Sequence, residues 1–99
     1  MVVGSLRVEL HLPQSASLKA KRAELRPILD GVRHRFRISA AEVDHQDTWQ
    51  RATLAAALVS GSSRRLQEEA DRVCRWLDAR FPYGVRVERL LTSVSDLEG

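Results

Sequence analysis

The 99-residue chain has one cysteine, three prolines, five glycines and no asparagine. A single thiol, Cys74, closes no internal disulfide and builds no multi-thiolate metal site, which fits a reducing compartment. Proline and glycine together make up 8 of 99 residues, so collagen-like and low-complexity classes are excluded. With 43% hydrophobic and 29% charged residues the chain is not of the disordered class either. No apolar run approaches the roughly 20 residues of a membrane span. The N-terminus lacks the basic, apolar and small-residue order of a signal peptide. The expectation is a soluble cytoplasmic protein with no membrane partner. The length suits one domain, 1–99, with an ordered core over about residues 2–94. Glycine-rich nucleotide loops, G-x-S-x-G and H-E-x-x-H are all missing, so nucleotide hydrolysis and serine-hydrolase chemistry have no positive support and no cofactor is expected.

What is present is patterning. From Val2 to Leu12 the apolar residues Val2, Leu6, Val8, Leu10 and Leu12 share one parity, which predicts a half-buried strand stopped by Pro13. From Leu18 the period changes. Leu18, Leu25, Leu29, Val32 and Phe36 recur at steps of seven, four, three and four, the face of a helix whose N-cap is Ser17. Pro27 lies opposite that stripe and predicts a kink directed away from the core. Ile38 to Asp44 reads as a short strand with a bulge between Ala40 and Ala41, where the parity slips. After the polar HQDTW connection, Arg51 to Ser60 alternates again. Gly61, Ser62 and Ser63 then end that strand and cap a second helix carrying Leu66, Ala70, Val73 and Leu77. Phe81 to Gly84 reads as a turn, Val85 to about Val94 as the last strand, and Ser95 to Gly99 as a frayed tail.

The order β-α-β-β-α-β predicts an α+β, ferredoxin-like domain: a four-stranded antiparallel sheet with two helices on one face. That topology hosts many functions. RNA-recognition motifs of this shape stack bases on aromatics of the central strands, but the outward positions here are Ser5, Arg7, Glu9, Thr53, Ala55 and Ala57. The metal chaperones of this fold need C-x-x-C, and its small phosphatases need an asparagine. This chain has neither.

Two groups of residues remain as candidates. Lys19, Lys21 and Arg22 crowd the first turn of helix one, where cations oppose the helix dipole and favour a docked anion such as phosphate. Lys19, Arg22, Arg26, Arg33 and Arg37 fall within about 60° of one another on the helical wheel. They form either a track for a nucleic-acid backbone or an ordinary solvated basic face, with Asp30 pairing to Arg26 and Arg33. The net charge of +3 biases the protein toward anionic partners. The second group is Asp44, His45 and Asp47. These offer two carboxylates and an imidazole for a divalent ion or for acid-base work, or else a structural turn with Trp49 covering the core edge. His11, His34 and Cys74 read as surface or core-margin residues without a catalytic partner.

The segments Ser-Leu-Lys-Ala-Lys-Arg (17–22) and Ala-Glu-Val-Asp-His-Gln-Asp-Thr-Trp-Gln-Arg-Ala (41–52), after an N-terminal MVVGSLRVELHLP, carry a resemblance. The chain resembles the YlxP-like family of small bacterial proteins, a domain of unknown function, over nearly its whole length. The resemblance implies a ferredoxin-like fold and a bacterial cytoplasmic protein. In some bacteria genes of this family lie among those for transcription termination, translation initiation and ribosome maturation, which implies a role near RNA or the ribosome. It assigns no activity and no catalytic residues. Pro27 departs from the helix expected of the family.

Three functions compete on these grounds. The first is a non-enzymatic module binding RNA or a ribosomal particle through Lys19, Lys21, Arg22, Arg26 and Arg33. The second is a metal-binding protein or small enzyme centred on Asp44, His45 and Asp47. The third is a protein-interaction module, expected as a homodimer through the open sheet face, with Arg7 and Glu9 pairing across a two-fold axis.

Overall fold

The computed structural model describes residues 1–81 and 85–93. Six elements follow in the expected order: β1 (Val2–His11), α1 (Leu18–Phe36), β2 (Ser39–Asp44), β3 (Arg51–Ser60), α2 (Ser63–Asp78) and β4 (Val85–Ser93). The strands form one antiparallel sheet in the order β2-β3-β1-β4, the ferredoxin-like arrangement. Apart from Phe81, which is buried, the turn expected before β4 lies outside the described residues, as does the tail Ser95–Gly99.

Period-two alternation explains how the sheet meets the helices. Leu6, Val8 and Leu10 of β1 and Ala52, Leu54, Ala56 and Leu58 of β3 point inward and are buried. The register sets large against small: Leu6 opposes Ala56 and Leu10 opposes Ala52, so the central strands leave room for helix side chains. Both helices contribute to this same core, α2 through Leu66, Ala70, Val73 and Leu77 and α1 through Leu25 and Val32. Ser17 caps α1 by accepting from the Ala20 N–H at 3.0 Å, and Ser62 caps α2 by accepting from Arg65 at 3.2 Å.

α1 runs unbroken from Leu18 to Phe36 with Pro27 inside it. Proline removes one donor, so the carbonyl of Ala23, four residues back, loses its helical partner. Both Ala23 and Pro27 are exposed, which leaves that carbonyl on the solvent side. The helix stops at Arg37, which takes a left-handed conformation (φ 55°, ψ 43°) and turns the chain into β2.

The bulge in β2 is real, but it sits elsewhere than the parity slip indicates. Ala40 and Ala41 pair regularly with Ala56 and Ala55, and the register shifts between Glu42 and Asp44, leaving Val43 as the extra residue. This changes which side chains share a face. Glu42 opposes Leu54 on the helix side, whereas Asp44 opposes Thr53 on the open side.

The two helices meet at Gly31. A Cβ there would lie 2.6 Å from Cζ2 of Trp76, inside van der Waals contact. The Trp76 ring packs edge-on against Phe36, with centroids 6.1 Å apart, and the Arg80 guanidinium lies 3.7 Å from its centroid. Alanine would favour the isolated helix over glycine by about 1 kcal/mol. In this position Gly31→Ala is expected to destabilise the protein by about 1–3 kcal/mol, because it forces the indole off its seat. Urea denaturation of the two proteins checks the sign.

Candidate nucleic-acid interface

The step of seven between Leu18 and Leu25 conceals a member of the apolar stripe. Lys21 stands three residues after Leu18 and four before Leu25, so it faces the core, and it is 1% exposed. Its Nζ lies 2.7 Å from Glu42 Oε2, 2.5 Å from the His45 carbonyl and 2.7 Å from the Thr48 carbonyl. The ammonium thus donates two hydrogen bonds to the carbonyls and pairs by charge with the Glu42 carboxylate. Lys21 therefore differs from the expectation made for it. Buried, it is not open to an external phosphate, and the residue instead clamps the β2-β3 connection to the first turn of α1.

The clamp depends on the backbone around it. His45 is left-handed (φ 58°), and its carbonyl also accepts from the Thr48 N–H at 3.0 Å, closing a turn. Regular alternation from Ala40 puts Glu42 on the helix side, within reach of Lys21, and the Val43 bulge beyond it turns Asp44 to the open side. Asp44 Oδ1 accepts from the His45 N–H at 2.8 Å, which, ahead of the charge of His45 and of Arg7, holds its carboxyl below the usual range. Among the described residues no group of three His, Cys, Asp or Glu side chains is placed to hold a metal ion, so Asp44, His45 and Asp47 are not gathered as ligands. Trp49 does not cover the core edge. It is 51% exposed.

The other basic candidates are outside. Lys19, Arg22, Arg26 and Arg33 are exposed on α1. The spacing of Arg22, Arg26 and Arg33 puts them on one row. That row borders a groove of about 330 Å³ between α1 and the edge strand β2, with Leu25 and Leu29 also lining it. Arg33 is tethered: Nε donates to the Ala40 carbonyl at 2.9 Å and Nη1 lies 3.7 Å from Asp30. Asp30 does not reach Arg26. Lys19, Arg22 and Arg26 have no ion-pair partner among the described residues.

A model of the family "Protein of unknown function (DUF503)" matches residues 3–89. The chain belongs to the DUF503 family. This DUF503 chain is 37% identical over 91 residues to "Uncharacterized protein YlxP" of Bacillus subtilis (strain 168), covering 92% of this chain and 95% of that protein. Its fold is similar to a solved structure titled "De novo designed protein Foldit4", with a TM-score of 0.54 at 14% identity over 93% of this chain and 96% of the other. That likeness shows the fold alone.

The open sheet face of the DUF503 chain has two ends. At one, Ala57, Val59 and Leu90 are exposed, Val59 by 69%. At the other lies a closed polar network: Arg7 reaches Glu9 at 3.2 Å and Asp44 at 3.6 Å, and the Thr53 hydroxyl donates to Glu9 at 2.8 Å. Arg7 and Glu9 therefore pair within the chain. Neither Lys21 nor this network is visible as a motif. The only signal for Lys21 is its heptad position in the apolar stripe.

Two outcomes follow from these contacts. Lys21→Met leaves Glu42 without its cation and the Thr48 carbonyl without its donor, while the His45 carbonyl keeps the Thr48 N–H, so a loss of about 3 kcal/mol is expected in chemical denaturation. Lys21→Met with Glu42→Leu should recover a measurable part of it. For Glu9, the Thr53 hydroxyl, ahead of Arg7, holds the carboxyl below its ordinary value of 4.5. A lowered pKa contributes stability above the unfolded value that is lost as pH falls through the folded one. Denaturation followed from pH 6 to pH 3 should therefore show Glu9→Gln less stable than wild type at pH 6, with the gap narrowing below pH 4.5.

Proposed function

We propose that this protein is a non-enzymatic module that binds the phosphate backbone of RNA along α1, through Lys19, Arg22 and Arg26 with Arg33 at the far end of the row. The observation that carries the reading is the contrast among the basic residues. Lys21 is withdrawn into the core and Arg33 is tied to β2, while Lys19, Arg22 and Arg26 are exposed and have no ion-pair partner among the described residues. Arg22 and Arg26 border one groove, which Asp30 and Glu42 also line. An exposed row of unpaired cations on a rigid helix suits a polyanion, because each phosphate contact releases condensed counterions. The family resemblance, with its setting among translation and transcription genes, favours RNA over other polyanions.

The sheet supports the same division of labour. Its outward positions on the central strands carry no aromatic residue, and at its charged end Arg7 pairs with both Glu9 and Asp44, which leaves that cluster with a net negative charge. The helix side is left as the basic surface. Fluorescence anisotropy with a short labelled RNA should show affinity falling with salt at a log-log slope of about −2, as for three phosphate contacts on a single strand. Changing Lys19, Arg22 and Arg26 together to Ala should remove most of that slope and leave stability unchanged. Salt-independent binding, or an unaltered triple variant, would count against this surface.

A further inference from the structure

We infer that Trp49 is a stacking platform for one unpaired RNA base, placed beside the basic row. The inference rests on the backbone-binding reading above and adds single-strandedness to it. Trp49 is one of the exposed large apolar side chains of the protein and the only aromatic one among them within the described residues. Its backbone is held on both sides. The carbonyl of Thr48 accepts from Lys21, and the carbonyl of Gln50 accepts from the Leu12 N–H at 2.9 Å. A half-exposed indole on a fixed backbone has already lost much of the freedom that binding would otherwise remove.

Its surroundings select a base. An open concavity of about 380 Å³ is lined by Asp47, Thr48, Trp49 and Gln50. A phosphate would meet the Asp47 carboxylate there, whereas a base presents N–H donors to Asp47 and Gln50 and a π-face to the indole. Lys19 and Arg22 belong to the same helical turn as Lys21, whose ammonium touches the residue next to Trp49. The clamp thus joins a site for a base to a row for its backbone.

The test uses the full chain and three RNA probes of equal length: a single strand, the same strand with abasic sites, and a duplex. Trp49→Phe and Trp49→Ala both act at an exposed position, so the fold is retained. Binding of the single strand should quench tryptophan emission, and Trp49→Phe, which keeps Trp76, should abolish the quenching. Trp49→Ala should weaken single-strand binding roughly tenfold or more without changing the salt slope. The abasic strand and the duplex should bind wild type and Trp49→Ala equally. If the single strand binds with the expected salt slope but emission and the Trp49→Ala affinity are unchanged, the stacking inference falls and the backbone reading stands. If no RNA binds at low salt, both fall.

Discussion

The arrangement of the helix-side surface depends on one buried cation. Lys21 occupies a core position of α1 and directs its ammonium at the Glu42 carboxylate of β2 and at two carbonyls of the segment that joins β2 to β3. A charge in that position is costly unless every donor is satisfied, so the contact is geometrically demanding. It uses Glu42, placed on the helix side by the regular pairing of β2, and the carbonyl of a left-handed His45. In return the hairpin tip is fixed to the start of α1 by charge-assisted hydrogen bonds instead of by apolar area, of which so short a connection offers little.

Local rules at other points support the same frame. Alanines on β3 make space under the helices, and Gly31 accepts a helix-propensity penalty so that Trp76 can bring α2 against α1. Arg89 on β4 reaches back to Asp71 at 2.7 Å and to the Cys74 sulfur at 3.4 Å, which ties the opposite edge of the sheet to α2. Each sheet edge is thus joined to a helix through a basic side chain, Lys21 and Arg33 on the β2 side and Arg89 on the β4 side. The basic residues of this protein therefore divide into structural ties and exposed cations, and composition does not distinguish them.

That division limits what a charge-based reading of function achieves. Lys19, Lys21 and Arg22 look alike as a first-turn cluster, yet a rotation of 100° per residue sends the middle one inward. Similarly, Arg7 and Glu9 look like free charges on a bare sheet face until strand register places Asp44 and Thr53 beside them. Segment 41–52, which contributes to the family resemblance, supplies Glu42, the bulge and the His45 and Thr48 carbonyls. The clamp gives Glu42, His45 and Thr48 of that segment a structural part.

Element order, strand parity, both serine caps and the inward faces of β1, β3 and α2 were determined by the sequence alone, because each is a local consequence of period, capping chemistry or turn residues. The Val43 bulge was not, since a bulge is defined by two strands and its position follows from the partner. The fates of Lys21 and Trp49 were decided only by tertiary structure. Lys21 makes its contact with partners 24 and 27 residues away, the His45 and Thr48 carbonyls. Nothing in the spacing of either segment contains that contact, because it exists only once α1 has packed against β2 and the hairpin has closed beneath it.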